Sequence, residues 1–152
     1  MTTMKRFFRL FYLTLSVVFC ICCNAEEGIP CLAGTEWQQY WPGQIDPTQG
    51  ELEKLTFYRD SVQYYTYWYP LKDTTVYSKP YYQCDTKPTS FDFSQVGKGN
   101  GGKYFVEYNH TLNEMEYCKI TKCTEDSLVL FFEGHPNYIG GVDHSIVYTR
   151  VK

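Results

Sequence analysis

The sequence predicts an all-β domain that forms an antiparallel up-and-down barrel of about eight strands. Two observations support this fold class. Val, Thr, Tyr, Phe and Trp are frequent beyond residue 25, and almost no segment there has the period of an amphipathic helix. Gly, Pro, Asn and Asp interrupt the chain at short intervals, as they do between the strands of barrels and sandwiches. A β-sandwich is therefore the alternative fold.

The individual strands follow from the alternation of apolar and polar residues between these turns. Nine segments qualify, and the fourth contains Pro80, a residue that suits an edge strand or a bulge. The segments are 35–41, 52–58, 62–69, 75–83, 90–96, 103–109, 114–121, 127–132 and 145–151.

The clearest hairpin joins the second and third segments, with a turn at Asp60 and Ser61. Turns of two or four residues give the strands the same parity, because side chains alternate between the two faces. One face is then expected to be the core face and carries Leu55, Phe57, Val62, Tyr64 and Trp68. The opposite face carries Tyr58, Tyr65, Tyr67 and Tyr69.

The first 25 residues are predicted to be an export segment. Three basic residues precede an apolar run over residues 10–22. A run of 13 residues is too short to cross a bilayer, which needs about 20, but it suits a secretory signal peptide. Residues 1–25 are therefore expected to be removed, which leaves 26–152 as a single domain in the periplasm or outside the cell.

A lipid anchor is the alternative to soluble export. Cys23 would then be the acylated first residue of an outer-membrane lipoprotein. The acidic pair Glu26 and Glu27 resembles a surface-export signal of some bacterial lipoproteins. The residue before Cys23 is Cys22, however, where Gly, Ala or Ser is usual. Soluble export is the preferred interpretation.

Four further cysteines follow the export segment, namely Cys31, Cys84, Cys118 and Cys123. An even number of cysteines in an exported chain predicts two disulfides, for which three connectivities exist. Free buried thiols are the alternative, because Cys also serves as a small hydrophobic residue.

The charge balance argues against two classes of partner. Beyond residue 25 the chain has 11 basic and 17 acidic residues, with no basic stripe. Nucleic acids and anionic membranes attract basic surfaces, so neither is expected as the main partner. No segment has the length of a transmembrane span.

No motif of the sequence indicates an enzyme, a metal site or a cofactor. The three histidines are scattered, and neither Ser nor Cys occurs in a recognisable nucleophile context. The run from Gly97 to Gly102 contains G-x-G-x-x-G, but a predicted strand follows it where a dinucleotide site requires a helix. A non-enzymatic protein is therefore expected.

Three short motifs of the chain occur together in one family. Gly34 and Trp37 lie at the first strand, Leu-Thr-Phe-Tyr-Arg-Asp-Ser-Val spans 55–62, and Tyr-Thr-Arg-Val spans 148–151. In this combination the chain resembles the bacterial lipocalin-like, calycin-type secreted β-barrel proteins over residues 32–152. It differs from them by having two residues, instead of one, between Gly34 and Trp37.

The resemblance implies a structural role for two residues. In lipocalins the Trp of the first strand closes the floor of the barrel, and an Arg near the chain end packs over it. Carried over to this chain, Trp37 lies under Arg150 in a cation–π contact.

The first functional hypothesis is an exported binding protein that holds a small apolar or aromatic ligand in the open end of the barrel. An eight-stranded barrel is just wide enough to be filled by side chains or to hold one small ligand. Aromatic side chains supply burial, and tyrosine hydroxyls supply orientation. The expected ligand-binding residues are Phe57, Tyr64, Trp68, Tyr104, Tyr108 and Tyr148.

The second hypothesis places function on the outer face of the barrel. Tyr58, Tyr65, Tyr67 and Tyr69, with Tyr81 and Tyr82 nearby, would form an exposed aromatic strip. Such strips mark protein interfaces and suit the faces of sugars. The protein would then be an adhesion, glycan-binding or inhibitor module around an inert core.

Overall fold

The computed structural model describes residues 28–41, 50–134 and 142–151. The expected export segment, residues 1–25, and the alternative anchor Cys23 lie outside these residues. In the part of the chain that is described, no helix has the length and apolar character needed to span a membrane.

Eight antiparallel strands form a closed barrel in which each strand pairs with the next one along the chain and β8 pairs with β1. This architecture confirms the predicted up-and-down barrel and excludes the sandwich. The strands are β1 (Thr35–Trp41), β2 (Glu51–Phe57), β3 (Ser61–Trp68), β4 (Asp73–Cys84), β5 (Tyr104–Asn109), β6 (Glu114–Cys123), β7 (Ser127–Phe132) and β8 (His144–Arg150). We call the end of the barrel with the β2–β3 turn the floor and the end with the β3–β4 turn the mouth.

The prediction of a ninth strand over residues 90–96 is wrong. This segment belongs to the β4–β5 connection and contains one turn of 3-10 helix, Phe93–Gln95, which the side chain of Asp92 caps by accepting a hydrogen bond from the Ser94 amide. The Phe91 ring packs against the ring of Tyr82, with centroids 5.2 Å apart. The apolar residues of this segment therefore cover the outer face of the barrel.

The β2–β3 hairpin has the predicted parity. Phe57 pairs with Val62 and Leu55 with Tyr64, so the turn is centred one residue earlier than the sequence indicates. That change moves the pairing by two positions, which leaves every side chain on the face expected for it.

Pro80 lies where β4 changes partner. β4 pairs with β3 from Asp73 to Pro80 and with β5 from Tyr81 to Cys84. The sequence predicts an edge or a bulge for this residue because Pro has no amide donor. A closed barrel has no edge, and the junction between two partners accommodates the missing donor.

The floor half of the barrel is filled by side chains. The Phe57 ring makes edge-to-face contacts with Tyr81 and Phe105, at centroid distances of 5.3 and 5.4 Å. Of the residues that the structure describes, twelve buried ones form one cluster, which comprises Leu32, Trp37, Leu55, Phe57, Val62, Tyr81, Phe105, Cys118, Ile120, Leu128, Leu130 and Tyr148.

A strap of residues 29–32 crosses the floor and is held by the buried side chain of Gln83. The Gln83 amide oxygen accepts a hydrogen bond of 2.7 Å from the Leu32 amide. Its nitrogen donates to the carbonyl oxygens of Pro30, at 3.0 Å, and Gly102, at 3.3 Å. One side chain thereby joins the strap to β4 and to the start of β5.

Gly101 and Gly102, in the glycine-rich run before β5, allow the strap and β4 to pack closely against this run. A Cβ on Gly101 would lie 2.3 Å from the carbonyl oxygen of Ile29. Gly102 has a φ of +154°, and a Cβ there would lie 2.5 Å from the backbone of Cys84. Glycine is required at both positions because the strap and β4 approach the backbone directly.

Trp37 and Arg150 lie where β1 and β8 close the barrel. The two residues are paired across these strands. The guanidinium carbon of Arg150 is 5.0 Å from the centroid of the buried Trp37 ring, and the indole nitrogen donates to Thr35 Oγ1 at 2.7 Å. This is the arrangement that the lipocalin resemblance implies.

The expectation of two disulfides is corrected, because Cys31, Cys84, Cys118 and Cys123 are all free thiols. Cys118 and Cys123 lie five residues apart on β6, roughly 15 Å along the strand, whereas bridged cysteines have Cα atoms about 4.4–6.8 Å apart. Cys118 faces the core, while Cys84 follows the inward-facing Gln83 and so faces outward. These positions favour the alternative of separate thiols.

Loss of the Gln83 clamp is expected to destabilise the barrel. Gln83→Ala leaves the Leu32 amide and two carbonyl groups without their partner, which should lower the free energy of unfolding by about 2–3 kcal/mol in urea titrations. Gln63→Ala, at an outward-facing position of β3, is the control and should change it by less than about 0.5 kcal/mol. Equal losses in the two variants would contradict the clamp.

The Trp37–Arg150 contact is testable by a double-mutant cycle. Trp37→Phe and Arg150→Ala remove the same interaction, so the double variant should lose less stability than the sum of the single variants. The expected coupling energy is about 0.5–2 kcal/mol from urea unfolding. Additive losses would show that the two side chains do not stabilise each other.

Candidate ligand-binding site

A cavity lies on the inner face of the barrel at the mouth. Glu51, Trp68 and Asp73 are direct register partners across β2, β3 and β4, and Thr66 pairs with Thr75 one inward position below. Among the described residues, these five line an open space of about 220 Å³. Trp68 is 51% exposed, so its indole is available to a bound molecule.

A layer of polar side chains lies below the cavity, and we call it the inner polar layer: Tyr64, Tyr77, Lys79, Glu107 and Glu116. The rings of Tyr64 and Tyr77 stack with centroids 4.9 Å apart. The Tyr64 hydroxyl donates to Glu107 Oε2 at 2.5 Å. Lys79 Nζ lies 2.6 Å from Glu107 Oε1 and also pairs with Glu116. One ammonium group therefore joins two carboxylates inside the barrel.

Glu107 and Glu116 face each other across β5 and β6 and have opposite pKa shifts. Burial, assisted by the hydrogen bond with Glu116, raises the pKa of Glu107 to about 7, against the opposing effect of Lys79 and Tyr64. Burial also raises the pKa of Glu116, but hydrogen bonds with Glu107, Lys79 and Asn109 outweigh it and hold that pKa below its ordinary value. The pair thus keeps Glu116 ionised while Glu107 titrates near neutral pH.

A second polar contact lies on the opposite wall. The Tyr148 hydroxyl donates to the carboxylate of Glu53, whose pKa is raised by burial. Gln39 is the register partner of Glu53. Its side-chain oxygen is buried and accepts no hydrogen bond from the described residues. This wall therefore carries buried polar groups outside the lining of the mouth cavity.

Four of the six expected ligand-binding residues face the interior. Trp68 lines the cavity, and Tyr64 lies in the inner polar layer. Tyr148 contacts Glu53, and Phe57 lies in the filled core at the floor. The structure thus brings Trp68 and Tyr64 together on one strand and separates Phe57 from the mouth.

The expectation that Tyr104 and Tyr108 face the ligand is wrong, because both lie on the outer face of β5. The Tyr104 ring contacts Tyr117 with centroids 6.3 Å apart, and Tyr108 contacts Phe91 at 5.2 Å. The inward positions of β5 belong to Phe105, Glu107 and Asn109. The β4–β5 connection covers the outer face, which gives aromatic residues on that side a place to pack.

Sequence reasoning missed the charged residues of the interior. Lys79 alternates with Tyr77 and Tyr81 along β4, and Glu107 alternates with Phe105 along β5. Charges of opposite sign at positions of the same parity on neighbouring strands are the signal that could have identified the pair.

The tyrosine strip of the second hypothesis is smaller than expected. Tyr58 and Tyr69 are exposed, and the Tyr67 ring makes an edge contact with Tyr69 at 4.8 Å. Tyr81 instead lies in the core, and Tyr82 is buried under the β4–β5 connection with its hydroxyl donating to Ser90. The strip therefore consists of tyrosines of β3 and its two turns.

No group of three or more His, Cys, Asp and Glu side chains in the described ranges is arranged to hold a metal ion. No protein-family model, curated protein or solved structure matches the chain. Conclusions about function therefore depend on the barrel and on the chemistry of its interior.

The raised pKa of Glu107 predicts that stability falls as pH rises. The carboxyl has an ordinary pKa of 4.5, at which the unfolded chain loses the proton, and the folded barrel retains it to about pH 7. The folded state thus binds more protons across this window, so the free energy of unfolding decreases as pH rises through it. We expect Glu107→Gln to reduce that decrease by on the order of 2 kcal/mol in urea titrations.

Glu114→Gln is the matched control for this measurement. Glu114 lies at the mouth end of β6, is exposed, and should keep the wild-type decrease when it is replaced. An identical decrease in the wild type and in Glu107→Gln would contradict the assignment.

Proposed function

We propose that this protein is an exported, non-enzymatic binding protein of the lipocalin-like, calycin type that holds one small molecule in the mouth of its barrel. The observation that carries the proposal is the cavity of about 220 Å³ bounded by β2, β3 and β4. Sites for drug-sized ligands occupy about 300–1,000 Å³, so this cavity suits a smaller molecule.

The unequal filling of the two ends supports this proposal. The floor is packed with apolar and aromatic side chains, whereas the middle of the barrel contains Lys79, Glu107 and Glu116. Replacing a buried ion pair by apolar side chains of similar volume often leaves the stability of a protein unchanged or raises it. A barrel selected for stability alone therefore has no need of this layer, and the apolar packing of the floor does not continue up to the mouth.

The lining of the cavity favours a ligand of mixed polarity over the small apolar or aromatic one that the sequence indicates. Trp68 offers an aromatic surface, while Thr66 and Thr75 offer hydroxyl groups. Glu51 and Asp73 add carboxylates at the rim. A hydrocarbon would leave these groups without partners, at a cost in desolvation.

The family and the compartment are part of the proposal. The lipocalin-like assignment is supported by the Gly34–Trp37 motif and by the packing of Arg150 on Trp37 at the closure of the barrel. Export is supported by the basic residues and the apolar run within residues 1–25. Soluble export is preferred, and a lipid anchor at Cys23 is the alternative.

Native mass spectrometry of the exported protein tests whether the mouth is occupied. We expect a non-covalent adduct that disappears when the same sample is denatured, and its mass begins to identify the ligand. Trp68→Leu should reduce the occupied fraction several-fold, because it removes an aromatic wall of the cavity. Tyr65→Leu, on the outer face of the same strand, should leave it unchanged.

An adduct retained to the same extent by Trp68→Leu and by the wild type would contradict binding at the mouth. Uniformly bare protein, together with no binding of added small molecules, would contradict small-molecule binding altogether.

An outer-face module is the second candidate function. Val76 is exposed beside its register partner Tyr65, and Tyr67 contacts Tyr69, which follows β3 directly. This aromatic surface suits a protein partner or a sugar face. A partner lost on Tyr65→Ala and retained on Trp68→Leu would favour this candidate over the cavity.

A further inference from the structure

We propose that the mouth cavity binds a small organic cation, whose ammonium group lies against the indole of Trp68 between the carboxylates of Glu51 and Asp73. This inference rests on the proposed function and names the ligand class for the same cavity. It differs from the apolar or aromatic ligand that the sequence indicates, because the charge of the bound group now provides the selectivity.

The three residues form a row across the sheet. Glu51 pairs directly with Trp68, and Trp68 pairs directly with Asp73, so the indole is flanked by a carboxylate on each neighbouring strand. Directly opposed residues in antiparallel strands have Cβ atoms about 4.5–5.5 Å apart, which is within reach of one bound ammonium group. The face of an indole attracts cations, and aromatic surfaces of this kind recognise quaternary ammonium groups.

The charge of the inner face favours a cation. The inward positions of β2, β4, β5 and β6 carry one lysine, Lys79, which is already paired with two carboxylates. In the part of the chain that the structure describes, no Lys or Arg forms an ion pair with Glu51 or Asp73. The acidic residues at these inward positions are Glu51, Glu53, Asp73, Glu107, Glu114 and Glu116. At the cavity itself the charged side chains are those of Glu51 and Asp73, so an anionic ligand, such as a carboxylate, would meet repulsion there.

The hydrogen-bonding groups of the interior point to a ligand that donates. The carboxylates of Glu51 and Asp73 and the hydroxyl groups of Thr66 and Thr75 line the cavity and can accept hydrogen bonds. A ligand with an N–H or O–H donor beside its charged group would match these acceptors.

Three molecules of nearly the same shape and different charge test the inference. Choline, 3,3-dimethyl-1-butanol and 3,3-dimethylbutanoate share a compact head of three methyl groups and are cationic, neutral and anionic, respectively. Binding of each to the exported protein is measured by isothermal titration calorimetry. Choline is expected to bind at least about tenfold more tightly than the neutral alcohol, which corresponds to about 1.4 kcal/mol, and the anion should bind most weakly.

Paired substitutions locate the selectivity. Glu51→Gln combined with Asp73→Asn should lower the affinity for choline at least about tenfold and leave the affinity for the neutral alcohol unchanged. Asp85→Asn combined with Glu125→Gln removes the same number of charges from exposed positions at the floor end and is the control. This control should bind choline like the wild type, because screened distant charges contribute little.

Each outcome separates the two proposals. If choline and the neutral alcohol bind equally, or if both charge variants lose choline affinity to the same extent, the cation assignment is overturned while small-molecule binding stands. If none of the three molecules binds and native mass spectrometry gives bare protein, the proposed function fails with it. A preference for choline that disappears only in the mouth variant supports both.

Discussion

The ion cluster around Lys79 is the interaction on which the interior of this barrel depends. In the closed barrel of eight strands, every second side chain of a strand points into the confined interior. On β5 and β6, Glu107 and Glu116 are directly opposed there. Two like charges directly opposed would destabilise the sheet. The ammonium group of Lys79, on the neighbouring strand β4, pairs with both and allows the carboxylates to occupy inward positions.

This cluster also divides the barrel into two parts with different chemistry. Below it, rings and aliphatic side chains fill the floor, and the Gln83 clamp holds the strap against them. Above it, Thr66, Thr75 and Trp68 leave open space. The polar layer is therefore the boundary between a region that stabilises the fold and a region that is free to bind.

The fold could be predicted from local patterns, whereas the site could be predicted only in part. Alternation of side chains and the short β2–β3 turn determine the parity of those strands, and this parity predicts Tyr64 and Trp68 on the inner face, where the structure has them. On β5 both faces carry aromatic residues, and local alternation cannot decide between them. The choice depends on Lys79, which is 28 residues away from Glu107, and on the β4–β5 connection that covers the outer face. The sequence shows this compensation only when the charges of two strands 28 residues apart are compared, and not in the alternation within either strand.

The Gln83 clamp has a consequence for the order in which the molecule folds. Its hydrogen bonds span 51 residues to Leu32 and 19 residues to Gly102, so they require β4 and the start of β5 to be in place together. Contacts between residues distant in the chain carry a high entropic cost and tend to form after local hairpins. We therefore expect the strap, although it precedes every strand in the chain, to dock only after β4 and the residues before β5 are in place. The floor of the barrel would then close late in folding, after the local hairpins have formed.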